Sequence, residues 1–264
     1  MTLVLTDVSM YGVAMAADSA VTFPSGRVYV GAQKLLPVDK INCGLSLWGR
    51  GDVAGTPADE WLTDFIEHDI GTGMSLWDTA NTLADRLNKD FGEIISDRMG
   101  VHLGGFDVDQ ESGIRGAAFY HVHNGHYHVG VKGGQVIDIP DEKPPIRAFK
   151  AHADRPPGSN SSDDRPLPVR NGDILIFAFL SEKVDAILDV MASNTGFSFP
   201  YPRTLETRGE YLRFWINTVK GIYRLSNARP RNLIQPPTVG DASIGGPVTV
   251  LTISESGEMR FYAR

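Results

Sequence analysis

With 264 residues, 42% of them hydrophobic, the chain is long enough to bury a full core and reads as one domain spanning residues 1–264. Its net charge of −7 argues against nucleic-acid binding, which needs a basic face, and its single cysteine, Cys43, excludes an internal disulfide and suits a reducing cytoplasm. No apolar run approaches the roughly 20 residues of a membrane span, and the N-terminus lacks the basic and apolar regions of a signal peptide, so a cytoplasmic protein without membrane contact is expected.

The chain opens β-rich. Residues 2–8 and 11–17 read as two strands of a hairpin-like start separated by Ser9-Met10, which places Thr2 at the beginning of an internal strand. Residues 19–27 are turn-rich around Pro24-Ser25-Gly26. Short strands are expected at 28–30, 34–38 and 43–48, with Cys43 a small buried hydrophobe on the last. Gly49-Arg50-Gly51-Asp52 then breaks the pattern. Thr56-Pro57-Ala58-Asp59 reads as a helix start: a cap, a proline at the first helical position and an acid in the first turn. Trp61, Leu62, Phe65, Ile66 and Ile70 mark its apolar face, and Gly71 ends it. Ser75 caps a second helix, expected to run to about Arg98, with Leu76, Ala80, Leu83, Leu87, Phe91 and Ile94-Ile95 inward.

Further strands are expected at 101–106, 116–122 and 126–131, the last two joined by Asn124-Gly125, the strongest two-residue hairpin signal. That turn would pair His123 with His126 and His121 with His128, putting four histidines on one face. A metal site is conceivable there; a solvated or helix-covered strand face is the alternative. Asp107, Asp109 and Glu111 invite a calcium loop or, alternatively, a solvated turn. From about 140 to 172 the composition turns polar and proline-rich, and reads as an exposed insertion within the domain. A strand-like run at 174–179, helices at about 182–191 and 205–223, and a hairpin of 248–254 with 258–262 complete the chain. Strands, two helices, strands, two helices and a final hairpin predict an α+β fold, a four-layer α/β/β/α sandwich.

Thr2 stands directly behind Met1, and a small second residue is what methionine aminopeptidases require. A threonine at a free N-terminus carries its own general base, because the α-amine, with an ordinary pKa of about 7.7–8.0, sits one atom from the hydroxyl-bearing side chain. A nearby ammonium would lower that amine further. Lys34 is the candidate ammonium, and Asp18 the candidate carboxylate that holds it charged and oriented.

Thr2, the Ala16-Ala17-Asp18-Ser19 segment and Lys34 together resemble the N-terminal nucleophile hydrolases of the proteasome β-subunit type, including their bacterial relatives. Asp18 lies 16 positions after Thr2 and Lys34 lies 32 after it (18 − 2 and 34 − 2), and both separations match that family. The resemblance implies that Gly49, between strand and helix, supplies the N–H that binds the developing oxyanion, although any tight strand-to-helix turn would also want glycine. Gly240-Asp241-Ala242-Ser243-Ile244-Gly245-Gly246 resembles the family's Asp-Ala-x-Ser-Gly-Gly segment, whose Asp and Ser buttress the nucleophile. Asp241 matches directly; Ser243 falls one position early, with Ile244 in the usual serine place. A glycine-rich turn before a strand is the alternative reading. Ser181 is a weak match for the remaining buttressing serine.

What the resemblance implies is a threonine-type endopeptidase that cleaves amide bonds through an acyl-enzyme on Thr2. Its substrate would be an unfolded or short polypeptide lying antiparallel to the backbone near Thr22, with no metal or organic cofactor. It further implies a homo-oligomeric ring, with an ATPase as a further candidate partner. Two rival functions share the architecture: a non-peptidase amidase acting on a small amide, and a catalytically silent ring-forming subunit.

Overall fold

The first 17 positions are rich in apolar residues, and they form two adjacent strands buried on both faces, β1 (Leu3–Ser9) and β2 (Gly12–Ala17). The computed structural model of the chain describes residues 2–22, 28–92, 99–109, 111–125, 128–132, 135–139, 148–159, 166–172, 175–194, 201–226 and 244–263. A short ribbon, β3 (Ala20–Thr22) with β4 (Val28–Val30), is followed by β5 (Leu35–Val38) and β6 (Cys43–Trp48). A second ribbon, β7 (Asp52–Val53) with β8 (Thr56–Pro57), leads into helices α1 (Ala58–His68) and α2 (Leu76–Phe91). Next come β9 (Gly100–Val108), β10 (Arg115–His123), the ribbon of β11 (His128–Lys132) with β12 (Gln135–Ile139), β13 (Lys150–Arg155) and β14 (Val169–Gly172). Helices α3 (Leu175–Ser193) and α4 (Leu205–Ser226) precede the closing hairpin of β15 (Thr249–Ile253) and β16 (Met259–Ala263).

The result is a mixed α/β chain with two five-stranded antiparallel sheets, ordered β14-β1-β2-β15-β16 and β13-β10-β9-β6-β5. Successive strand residues point to opposite faces, and the core divides accordingly. Val4, Val13, Met15 and Leu251 of the first sheet meet Leu35 and Phe119 in one cluster. Leu3, Leu5, Ala14 and Val250, from the other face of the first sheet, meet Leu212, Trp215 and Val219 of α4 and Phe177 of α3. Leu45, Val101, Leu103 and Tyr120 of the second sheet meet Trp61 and Phe65 of α1 and Leu83 and Leu87 of α2. Each Val, Leu, Phe or Met among them contributes about 1.5–3 kcal/mol on burial. A buried ion pair, Arg208 Nη1 to Asp7 Oδ2 at 2.8 Å, ties α4 to β1, and losing either partner would strand a charge in the core. Among the described residues, no helix is long and apolar enough to cross a membrane.

Several local expectations are revised. Thr56-Pro57 forms β8 instead of a cap, so α1 begins at Ala58 without a side-chain cap bond. Ser75 does cap α2, accepting from Asp78 N at 3.0 Å, but the helix stops at Phe91, where Gly92 takes φ +70°. Ile94 and Ile95 lie outside the described residues. From Leu175 the apolar run belongs to α3 and not to a strand; a short continuous apolar run does not distinguish a buried strand from a buried helix.

Asn124-Gly125 does not close a hairpin. Asn124 Oδ1 instead accepts from Met99 N at 2.9 Å, and β10 pairs with β9 on one side and β13 on the other. The polar stretch 140–172 therefore contributes two edge strands, β13 and β14, and Phe149 is buried in the core. Hydrophobicity misses such strands because an edge strand is held mainly through backbone hydrogen bonds.

The expected set of His121, His123, His126 and His128 is likewise not assembled as one face. His121 and His123 stand with His102 of β9 and His152 of β13, whereas His128 pairs with Ile139 and His126 lies outside the described residues. Asp107 accepts from Trp77 N and Tyr120 Oη, and Asp109 from Ser112 N and Oγ, so both are spent on local bonds. Among the described residues, no group of three or more His, Cys, Asp or Glu is arranged to hold a metal ion.

Candidate active site

Thr2 immediately precedes β1 and is buried, and its own backbone is clasped from two sides. The N–H of the next residue, Leu3, donates to Asp18 Oδ1 at 3.0 Å. On the other edge of β1, Leu3 pairs with Gly172 of β14. Gly172 has φ +96°, and a Cβ built there would lie 1.8 Å from the Thr2 carbonyl oxygen. Only glycine permits this approach. It is a site residue that the sequence reading did not single out, although Asn171-Gly172 at the end of the polar stretch was a signal for a special backbone.

Asp18 is fully buried at the end of β2, and its carboxylate accepts four hydrogen bonds. Oδ1 takes Leu3 N at 3.0 Å and Lys34 Nζ at 2.9 Å. Oδ2 takes Ala20 N at 3.1 Å and Gly245 N at 3.0 Å. One carboxylate thus fixes the start of β1, the lysine, the turn after β2 and the segment leading into β15. A buried charge is tolerated only when paired and hydrogen-bonded, and here both conditions hold.

Lys34 lies one residue before β5 instead of within it, 3% exposed. Its ammonium donates to Asp18 Oδ1 and to the Ala20 carbonyl oxygen. Burial pushes the ammonium below its ordinary pKa, and the charge and hydrogen bond of Asp18 push the other way without cancelling the effect. Asp18 therefore orients Lys34 and opposes its loss of charge.

Thr2, Lys34, Gly49 and Arg50 line one small cleft, with Val21 and Ala32 among its apolar walls. Gly49 follows β6 directly and has φ +94°, so its backbone makes a turn that other residues adopt at a cost. Arg50 at the rim is held by Asp52 through Nε at 2.8 Å and Nη2 at 3.1 Å. Thr22 ends β3 opposite Val28, and its side chain lies outside the described residues; Val21 is the β3 residue described in the cleft wall.

Asp241 and Ser243 lie outside the described residues. The segment that follows them does reach the site: Ile244 is fully buried, Gly245 N donates to Asp18, and Gly245 O accepts from Ser19 N at 3.1 Å. Lys220 of α4 donates to Gly246 O at 2.8 Å. Burial and Arg224 lower the Lys220 pKa, with Asp18 opposing. Ser181, the weak buttressing candidate, sits within α3.

No protein-family model matches the sequence, and no curated protein matches it. Solved structures do resemble the chain. Anbu from Yersinia bercovieri, described as an ancestral β-subunit, is 15% identical, with 100% of this chain and 86% of that chain covered and a TM-score of 0.50. A mutant Anbu from Hyphomicrobium sp. strain MC1 is 12% identical, with 100% and 87% covered and a TM-score of 0.48. At these identities the likeness concerns the fold alone.

Proposed function

We propose that the chain is a threonine peptidase of the proteasome type, active once Met1 has been removed. The observation that carries this reading is that Thr2, Lys34 and Gly49 line one cleft behind which Asp18 accepts four hydrogen bonds. The packing of α1 and α2 on one sheet and of α3 and α4 on the other supports a four-layer α/β/β/α sandwich as the frame of that site.

In this reading the Thr2 hydroxyl oxygen attacks the scissile carbonyl carbon while its proton passes to the Thr2 α-amine. The carbonyl oxygen becomes an oxyanion held by the Gly49 N–H, a donor of a kind commonly worth about 3 kcal/mol. The C–N bond breaks, and the proton moves from the α-amine to the leaving amine. An ester on Thr2 remains. Water then attacks the ester with the amine again as base, releasing the acid and restoring the hydroxyl. Lys34 favours the neutral amine by like-charge repulsion, and Asp18 keeps Lys34 in place.

On the resemblance of Thr2, Asp18 and Lys34 to the proteasome β-subunits, the proposal extends to assembly into a homo-oligomeric ring and to unfolded or short polypeptides as substrates. The test is incubation of the purified chain with a threonine-directed covalent inhibitor, then peptide mapping. An adduct on Thr2 together with hydrolysis of fluorogenic peptides is expected. Absence of any adduct on a chain whose N-terminal residue is shown to be Thr2 would sink the proposal.

A further inference from the structure

Four histidines stand in a row on the face of the second sheet that meets the first: His102 of β9, His121 and His123 of β10, and His152 of β13. Their ring centroids are spaced 4.8, 4.5 and 4.3 Å apart in that order, and the first three are buried. The chemistry proposed above uses none of them. His102 bridges the sheets: its Nδ1 lies 2.9 Å from Thr6 Oγ1 on β1, and its Nε2 lies 2.6 Å from Asn171 Oδ1 on β14. An amide oxygen only accepts, so His102 carries a proton on Nε2.

His121 is held differently. Trp48 Nε1–H donates to His121 Nε2 at 2.9 Å. An indole nitrogen only donates, so His121 Nε2 is the acceptor and the ring is neutral, with its proton on Nδ1. Asp154 Oδ2 lies 3.6 Å from that Nδ1, beyond hydrogen-bond distance.

Trp48 is the last residue of β6, buried, and directly precedes Gly49. Opposite it in register stands Gly100. A Cβ on Gly100 would come 2.8 Å from Trp48 Cζ2 and 2.8 Å from His123 Cβ, so the missing side chain leaves room for the indole. The indole is therefore seated against backbone on one side and hydrogen-bonded to a neutral imidazole on the other.

We propose that His121 is a positioning residue: by holding the Trp48 indole it fixes the turn at Gly49, and with it the aim of the Gly49 N–H into the cleft. An oxyanion donor is effective only if it is in place before charge develops. A glycine turn has no side chain of its own to anchor it. The neighbouring Trp48 ring supplies the anchor, and the 2.9 Å bond to His121 holds that ring in place. The inference rests on the reading of Gly49 as the oxyanion donor.

Two measurements on the full chain test it. In hydrogen exchange, His121→Phe should speed exchange of the amides at positions 48–52 at least tenfold and leave those of α2 unchanged. In peptide hydrolysis, the same variant should lose at least tenfold in kcat with KM within twofold of wild type. Trp48→Phe, which keeps a smaller aromatic ring beside Gly100 and removes the donor, should behave alike and serves if His121→Phe does not fold. The double variant should be no slower than the slower single one, since both remove one bond. Unchanged exchange at 48–52, a loss confined to KM, or losses that multiply would overturn the positioning role. A wild-type chain without turnover would count against the Thr2 peptidase instead, and the exchange result would then decide the role of His121.

Discussion

Gly245 N donates to Asp18 Oδ2 at 3.0 Å across a separation of 227 residues, closing the candidate site with backbone from the far end of the chain. Asp18 thereby joins four segments through one carboxylate, and each bond it accepts is used by a donor that water cannot reach. The consequences can be measured.

Asp18→Asn keeps the shape and removes the charge. An amide presents one accepting oxygen and one donating NH2, so one pair of donors, Leu3 N with Lys34 or Ala20 N with Gly245 N, would face another donor. Breaking a buried pair from one side typically costs about 3–5 kcal/mol. A fall of that size in urea-unfolding free energy is expected, with peptide turnover reduced in step or further. A variant as stable as wild type would show that the clamp is not under such tension.

Lys34→Ala should lower turnover by orders of magnitude, far beyond the effect of a surface lysine. Lys34→Arg should fail too, since a planar guanidinium cannot replace a compact ammonium between Asp18 Oδ1 and the Ala20 carbonyl. Residues that act as one unit are non-additive, so Thr2→Ala combined with Lys34→Ala should be no slower than Thr2→Ala alone. Fluorogenic-peptide hydrolysis by each variant, with folding checked by circular dichroism, decides this. Near-native turnover in Lys34→Ala would mean that another group tunes the amine.

The buried ammonium also has a pH signature. Its pKa in the folded chain lies below the ordinary lysine value of about 10.4 because burial disfavours the charge. In the interval between the two values the unfolded chain binds a proton that the folded chain does not. Stability should therefore rise with pH across that interval, and the cost of charging Lys34 should be felt in full below it. Urea midpoints of wild type and Lys34→Met, measured from neutral to alkaline pH, should converge or cross in wild type's favour. A difference that does not change with pH would contradict the lowered value.

Gly172→Ala tests the seat of Thr2. The new Cβ would meet the Thr2 carbonyl oxygen at 1.8 Å on a backbone of φ +96°, and strain of this kind costs about 1–3 kcal/mol. Thr2 must shift to relieve the clash. Turnover is expected to fall more than stability alone explains, with thermal unfolding recorded alongside. Native kcat in a folded variant would show that Thr2 does not depend on this contact.

Cys43 should be inert. It is fully buried on β6, and burial pushes its thiol pKa up. A disulfide-exchange reagent should label no thiol in the folded chain and one in urea, without affecting turnover beforehand. Rapid labelling of native protein would place Cys43 in a more open environment than this fold provides.

Much of the scaffold was legible in the sequence because it depends on short-range pattern. The strands β1, β2, β6, β15 and β16, the face of α1 and the Ser75 cap all follow from local periodicity and turn chemistry. The spacing of Thr2, Asp18 and Lys34 was visible too, and the fold brings Thr2, Lys34 and Gly49 to one cleft with Asp18 bonded behind it. What the sequence could not decide was set by long-range backbone pairing. Two polar edge strands dock on β1 and β10, Gly172 backs Thr2, Gly245 reaches Asp18, and His121 meets Trp48 across 73 residues. None of these contacts leaves a periodic trace, because each depends on one backbone group or one ring meeting a distant partner. Local sequence determined the apolar strands and the amphipathic helices; tertiary structure determined the polar edge strands and which buried polar groups would find each other.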